Sequence, residues 1–178
     1  MSVDHYENFP VASILLPKRL HRPVGLVYWF ARNADDFADE GNDPPETRLA
    51  KLQAYRDALR DLEANKPASD PLFQGLASAI AEYRLPFRPF YDLLDAFSQD
   101  VVKARYANYA EVLDYCARSA NPVGRLMLHI YGEAANPDFQ KYLAWSDAIC
   151  SALQLINFWQ DVEIDFTTKN RKIGRAHV

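Results

Sequence analysis

Glycine is scarce, at 6 residues of 178, which argues against a Gly-rich nucleotide loop, a collagen-like repeat or a turn-dense β-sandwich. Cysteine is scarcer still. Cys116 and Cys150 lie far apart with no Cys-x-x-Cys pair, so neither a zinc ribbon nor a dithiol redox site is indicated, and both read as reduced core residues. Long hydrophobic runs are absent, and near the amino terminus the longest is Ile14-Leu15-Leu16. Such a run is too short for a signal peptide or a membrane span, which makes a cytoplasmic protein the expectation. A basic excess is missing too: 20 Lys+Arg stand against 24 Asp+Glu, a net charge of −4. That balance disfavours tracking of a nucleic-acid backbone, but it permits a small anionic substrate carried with metal ions.

What is present is an apolar fraction of 49% with 13% aromatics, enough for one domain to build a core without disulfides. The periodicity is helical and no segment alternates as a strand, so the chain reads as all-α. Val24 to Glu40 forms one apolar-rich helix ending at Gly41-Asn42-Asp43-Pro44. An amphipathic helix opens at Pro45-Glu46, and others cover Leu72 to Tyr83 and the stretch from Phe90 to Val101. Tyr109 to Tyr131 and Pro137 to Asp165 are apolar nearly all round, the pattern of central, doubly packed helices in a bundle.

The chain divides at Arg171. Residues 1–171 read as one partial domain, and 172–178 as a non-native tail, because Ile173 to Val178 is what a common short-read sequencing adapter encodes in frame. A bundle interrupted there lacks its carboxyl-terminal helices, and such a fragment is expected to be inactive.

Carboxylates four apart on a helix stack on one face and can hold a hard divalent cation. The 16 aspartates form four such pairs. Asp39/Asp43 straddles a turn, and Asp57/Asp61 sits beside Arg56 and Arg60 as a solvated, locally paired face. Asp35/Asp39 and Asp161/Asp165 differ, because they emerge from segments that ought to be buried, where bare carboxylates are costly and a metal removes the cost. Asn157 and Gln154 extend the second column, and Tyr28 and Arg32 the first. A guanidinium on an acidic stripe suits a diphosphate bridged by Mg²⁺; the bland alternative is an Arg32–Asp35 intrahelical pair. Asp100, Lys103, Arg105 and Tyr106 make a second polar cluster, either solvated or in contact with phosphate. No HExxH, GxSxG, Walker loop or Glu-x-x-His pair occurs, which removes most metallohydrolases, nucleotide enzymes and di-iron bundles. His129, in an apolar helix, is expected to be a satisfied core residue.

Tyr28-x-x-x-Arg32-x-x-Asp35-Asp36-x-x-Asp39-Glu40, then Tyr115-Cys116-x-x-x-Ala120-x-x-Val123-Gly124, then Gln154-Leu155-Ile156-Asn157-x-x-Gln160-Asp161-x-x-x-Asp165 together resemble the squalene/phytoene synthase family. The opening His5 to Ser13 with Leu15-Leu16-Pro17 is similar to its hopanoid-pathway branch, the hydroxysqualene synthases. The resemblance implies an isoprenoid-synthase helical bundle around a central cavity. It also implies Mg²⁺ on Asp35, Asp39, Asn157, Asp161 and Asp165. His5, Asn8 and Arg32 would contact diphosphate, and Phe9, Tyr28 and Gln154 would line the reacting end. The implied reaction is conversion of presqualene diphosphate to hydroxysqualene with diphosphate release. The alternative within the family is head-to-head joining of two farnesyl diphosphates to presqualene diphosphate or squalene. A non-catalytic helical scaffold binding a lipid or partner is the rival from another class. Peripheral membrane contact is suggested by the greasy substrates alone.

Overall fold

The computed structural model describes residues 16–39, 42–103 and 105–160. Seven α-helices and one 3₁₀ turn are found among the described residues, with no strand. They are α1 (Lys18–Asp39), α2 (Pro45–Glu63), α3 (Pro71–Tyr83), α4 (Arg88–Val102), α5 (Tyr109–Ser119), α6 (Asn121–Ile130) and α7 (Phe139–Gln160), with the 3₁₀ turn Glu133–Ala135 before α7.

Local chemistry explains the boundaries. Pro45 and Pro71 sit in the first turns of α2 and α3, where a missing N–H costs nothing. Asp70 caps α3 by accepting from the Leu72 and Phe73 amides at 2.8 and 3.3 Å, and Asn108 caps α5 through the Glu111 amide at 3.0 Å. Arg84, at φ 51°, ends α3 in a left-handed conformation.

Two helices depart from the sequence expectation. α1 begins six residues before Val24 and carries Pro23 inside it. The Pro23 ring is buried and Leu20 is fully buried beside it, so packing of the first turns outweighs the one backbone bond that proline removes. The expected Tyr109–Tyr131 helix is two helices, α5 and α6, because Pro122 falls in the first turn of a new one.

The main core joins α1, α2, α3, α4 and α6. Phe30 is its hub, with ring centroids 5.2 Å from Phe90, 5.5 Å from Tyr55 and 6.1 Å from Phe73. Helices α1 and α3 approach closely where Gly75 meets Leu26, since a Cβ on Gly75 would lie 2.5 Å from a Leu26 methyl. A smaller second core gathers Ala96, Tyr106, Val112, Tyr115 and Cys116, with Leu155 and Phe158 of α7 against it.

α7 docks mainly on α6. Arg125 makes a bidentate pair with Asp147 at 2.6 and 3.0 Å, and Ser151 donates to Asn121 at 2.9 Å. Gly124 lets the helices touch, because a Cβ there would overlap Ser146 Oγ and lie 2.6 Å from Cys150 Sγ. The expectation that α7 is doubly packed does not hold for the described residues. None of its residues is buried, and Trp145, Ile149, Leu153, Ile156 and Trp159 form an exposed apolar stripe at helical spacing. Cys116 is buried and free as expected, while Cys150 is free but only half-buried at the α6–α7 contact. His129 is not satisfied: its ring packs edge-on to Phe139 at 5.4 Å, its Nδ1 is buried without a hydrogen-bond partner, and burial lowers its pKa.

Candidate active site

The stripe of α1 that carries Tyr28, Arg32, Asp35, Asp36 and Asp39 lies roughly a quarter turn round the helix from its core face. The core face, Leu20, Val24, Val27, Phe30, Ala34 and Ala38, is buried, so packing dictates which way the acidic stripe points. Tyr28 is buried at the inner end of that stripe, edge-on to the Trp29 ring. Asp35, Asp36 and Asp39 are half-buried at the outer end.

Arg32 holds its acidic neighbours unequally. Its Nε lies 2.9 Å from Asp36 Oδ1, and its Nη1 lies 3.9 Å from Asp35 Oδ2. The bland pairing considered from sequence was with Asp35, but the four-residue spacing puts Asp36 directly beneath the guanidinium. The Asp35 side chain is 41% exposed and is the more accessible carboxylate of the two.

Tyr115 of α5 is the neighbour that composition and spacing did not single out. It is buried in the second core, donates to Asp100 Oδ2 at 2.5 Å, and packs against the rings of Tyr106 and Phe158 at 5.5 and 5.8 Å. Burial first, then Asp100, and also Asp35, push its phenol well above the ordinary tyrosine range. Tyr115 therefore lies within the field of Asp35 and touches α7 through Phe158. The signal available in sequence was its place in the Tyr115-Cys116 motif, which carries no indication of a carboxylate partner on another helix.

Phe158 brings α7 to this place, and Gln154, four residues earlier, lies on the same face of the helix. Gln154 and Asn157 are both half-buried. Tyr115 thus touches Phe158 of α7 and lies within the field of Asp35 of α1. His5, Asn8, Phe9, Asp161 and Asp165 lie outside the described residues, as does the segment 172–178. Among the described residues, no three His, Cys, Asp or Glu side chains converge as a metal cluster. The oxygen donors of Asp35 and Asp39 suit a hard divalent cation, and the negative field that Asp35 and Asp100 impose on Tyr115 is what such a cation would offset.

The other polar candidates separate. Lys103 is engaged by Glu111 at 2.8 Å and lies 4.8 Å over the Tyr106 ring, so it serves the α4–α5 connection. Arg105 is exposed. Asp57 and Asp61 are solvated and paired with Arg60 and Lys66, each at 2.8 Å. Arg56 reaches instead across to Asp95 of α4 at 2.7 Å.

Residues 3–175 match the squalene/phytoene synthase family profile, and the chain belongs to that family. It is 40% identical over 168 residues to a hydroxysqualene synthase of Rhodopseudomonas palustris, covering 93% of this chain and 53% of that protein. A hydroxysqualene synthase of Sinorhizobium fredii is 39% identical over 168 residues, with the same coverage of 93% and 53%. Among solved structures, the squalene synthase HpnC of Alicyclobacillus acidocaldarius superposes with a TM-score of 0.80 at 38% identity, covering 95% of this chain and 60% of that one. The chain spans about half the length of the curated relatives it matches. The family's enzymes process prenyl diphosphates. Among the described residues no helix is long and apolar enough to cross a membrane.

Proposed function

We propose that the protein from which this chain comes converts presqualene diphosphate to hydroxysqualene, releasing diphosphate. The observation that supports this reading is that Arg32, Asp35, Asp36 and Asp39 share one accessible stripe of α1, with the charge of Asp35 felt at the buried Tyr115. The similarity to two hydroxysqualene synthases supports the choice of reaction.

In this reading the carbon–oxygen bond to diphosphate breaks with its electron pair leaving on oxygen. The carbocation left behind rearranges and is captured by water, whose oxygen bonds carbon and loses a proton. Mg²⁺ on Asp35 and Asp39, joined by Asn157, Asp161 and Asp165, would neutralise charge on the departing diphosphate. Arg32 exchanges part of its contact with Asp36 for phosphate oxygens, which a planar guanidinium binds in a bidentate way. His5 and Asn8 add diphosphate contacts. Tyr28, Phe9 and Gln154 would line the reacting end, where the aromatic rings would keep stray water from the cation. Tyr115, held by Asp100, keeps its proton and presents a neutral hydroxyl oxygen beside the acidic end of α1.

A second reading, head-to-head joining of two farnesyl diphosphates, draws on the similarity to a squalene synthase structure. Turnover of presqualene diphosphate and of farnesyl diphosphate, each with and without Mg²⁺ and with products identified by mass spectrometry, separates the two. The assay is run on this chain and on a protein completed to the length of its relatives, with Asp35→Ala and Asp161→Ala as controls. Hydroxysqualene lost in both controls supports the first reading; squalene or presqualene diphosphate from farnesyl diphosphate supports the second. No turnover by the completed protein overturns both and leaves the non-catalytic scaffold. Equal activity of the two lengths would show that this chain is catalytically self-sufficient.

A further inference from the structure

We propose that Arg48 of α2 is a positioning residue for Asp39, acting through the backbone at the carboxyl end of α1; this rests on the reading of Asp39 as a ligand made above. α1 closes on Asp35, Asp36 and Asp39 with no basic residue in its last turn. Carboxylates at that end face the negative pole of the helix dipole and its unsatisfied carbonyls. Arg32 reaches Asp36 from within the helix, so it is a donor for the last carbonyls that must come from elsewhere in the fold.

Arg48 supplies it. Its Nη1 donates to the Ala38 carbonyl at 2.7 Å and its Nε to the Asp43 carbonyl at 2.9 Å. One planar fork thus ties together the two ends of the α1–α2 connection. Ala38 is itself in the main core at 2% exposure, so its carbonyl is fixed by packing from one side and by Arg48 from the other. Asp39 is the next residue, and its main chain inherits that restraint.

Lys51 acts nearby without doing the same. It pairs with the Asp43 carboxylate at 2.5 Å and lies 5.7 Å over the Phe37 ring, and neither contact is to an α1 carbonyl. It is a control of equal charge on the same connection. Lysine in place of Arg48 keeps the charge but lacks the rigid fork needed to span two carbonyls at once.

The test compares wild type, Arg48→Met, Arg48→Lys and Lys51→Met by two readouts. One is Mn²⁺ affinity in the presence of inorganic diphosphate, read by electron paramagnetic resonance. The other is amide hydrogen exchange in α1 residues 36–39 relative to the core of α4. Arg48→Met is expected to weaken Mn²⁺ binding about tenfold, as loss of a group that orients a ligand does, and to speed exchange at 36–39 while α4 stays protected. Arg48→Lys should fall between wild type and Arg48→Met, and Lys51→Met should match wild type. Unchanged affinity in Arg48→Met, an equal loss in Lys51→Met, or exchange that rises uniformly through α4 overturns the proposal. Should wild type itself bind no Mn²⁺, the reading of Asp39 as a ligand fails on its own. Exchange at 36–39 then still decides whether Arg48 restrains the helix end.

Discussion

Tyr115 donates its hydroxyl to Asp100 across the α4–α5 contact at 2.5 Å, and this bond ties the second core to the carboxyl end of α4. Removing the hydroxyl leaves Asp100 without this donor, so Tyr115→Phe should destabilise the chain by about 1–3 kcal/mol in urea unfolding. In alkaline spectrophotometric titration, Tyr115 should resist ionisation beyond the other tyrosines, because burial, Asp100 and Asp35 all oppose a phenolate there. The stability this confers is present below the ordinary tyrosine pKa and is lost as pH rises past it. A Tyr115→Phe variant with wild-type stability would show that the bond contributes nothing.

Cys116 offers a second pH test. Burial raises its thiol from 9.0 to about 11, so the folded chain keeps the proton that the unfolded chain gives up first. Its contribution to stability is complete below pH 9 and is lost between 9 and about 11. Cys116→Ala should flatten that part of the stability profile. Thiol-reactive dye should label Cys116 only on unfolding, and rapid labelling of the native chain would contradict the buried placement.

Gly124 permits the contact of α6 with α7, where any Cβ meets Ser146 and Cys150. Gly124→Val should therefore push the helices apart and cost about 1–3 kcal/mol. The loss should be smaller in Gly124→Val with Ser146→Gly, which removes the Oγ in the way. Equal destabilisation in the single and double variants would place the cost elsewhere.

The apolar stripe of α7 is exposed, with Ile149 at 60% and Trp159 at 69%. Ile149→Lys should change the stability of this chain by no more than about 0.5 kcal/mol, since nothing packed is lost. The same change should lower binding of a hydrophobic dye and any self-association seen by light scattering, because the exposed apolar area shrinks. A large loss of stability would mean that Ile149 is buried in solution.

Much of this protein was legible from spacing because the relevant periodicity is a property of a single helix. Asp35, Asp39, Arg32 and Tyr28 share a stripe in any α-helix of this sequence, and Asp57 and Asp61 read as solvated because Arg56 and Arg60 surround them. Partners on other helices were not legible in the same way. Arg56 finds Asp95, 39 positions away, and no local rule selects it over Asp57. His129 looked like an ordinary core residue, yet its neighbour is the Phe139 ring, which gives Nδ1 nothing to bond.

The sequence by itself determined an all-α chain, the acidic stripe at the end of α1, and three ordered motifs specific enough to place the chain in its family. Only the tertiary structure decided that Pro122 starts a separate helix and that Arg32 leans on Asp36. The fold alone set Tyr115 against Asp100 and brought Arg48 back to the end of α1. The physical reason is range. Helix propensity and stripe geometry are settled within a few residues, whereas a guanidinium or phenol takes whichever oxygen the packing of whole helices brings to about 3 Å.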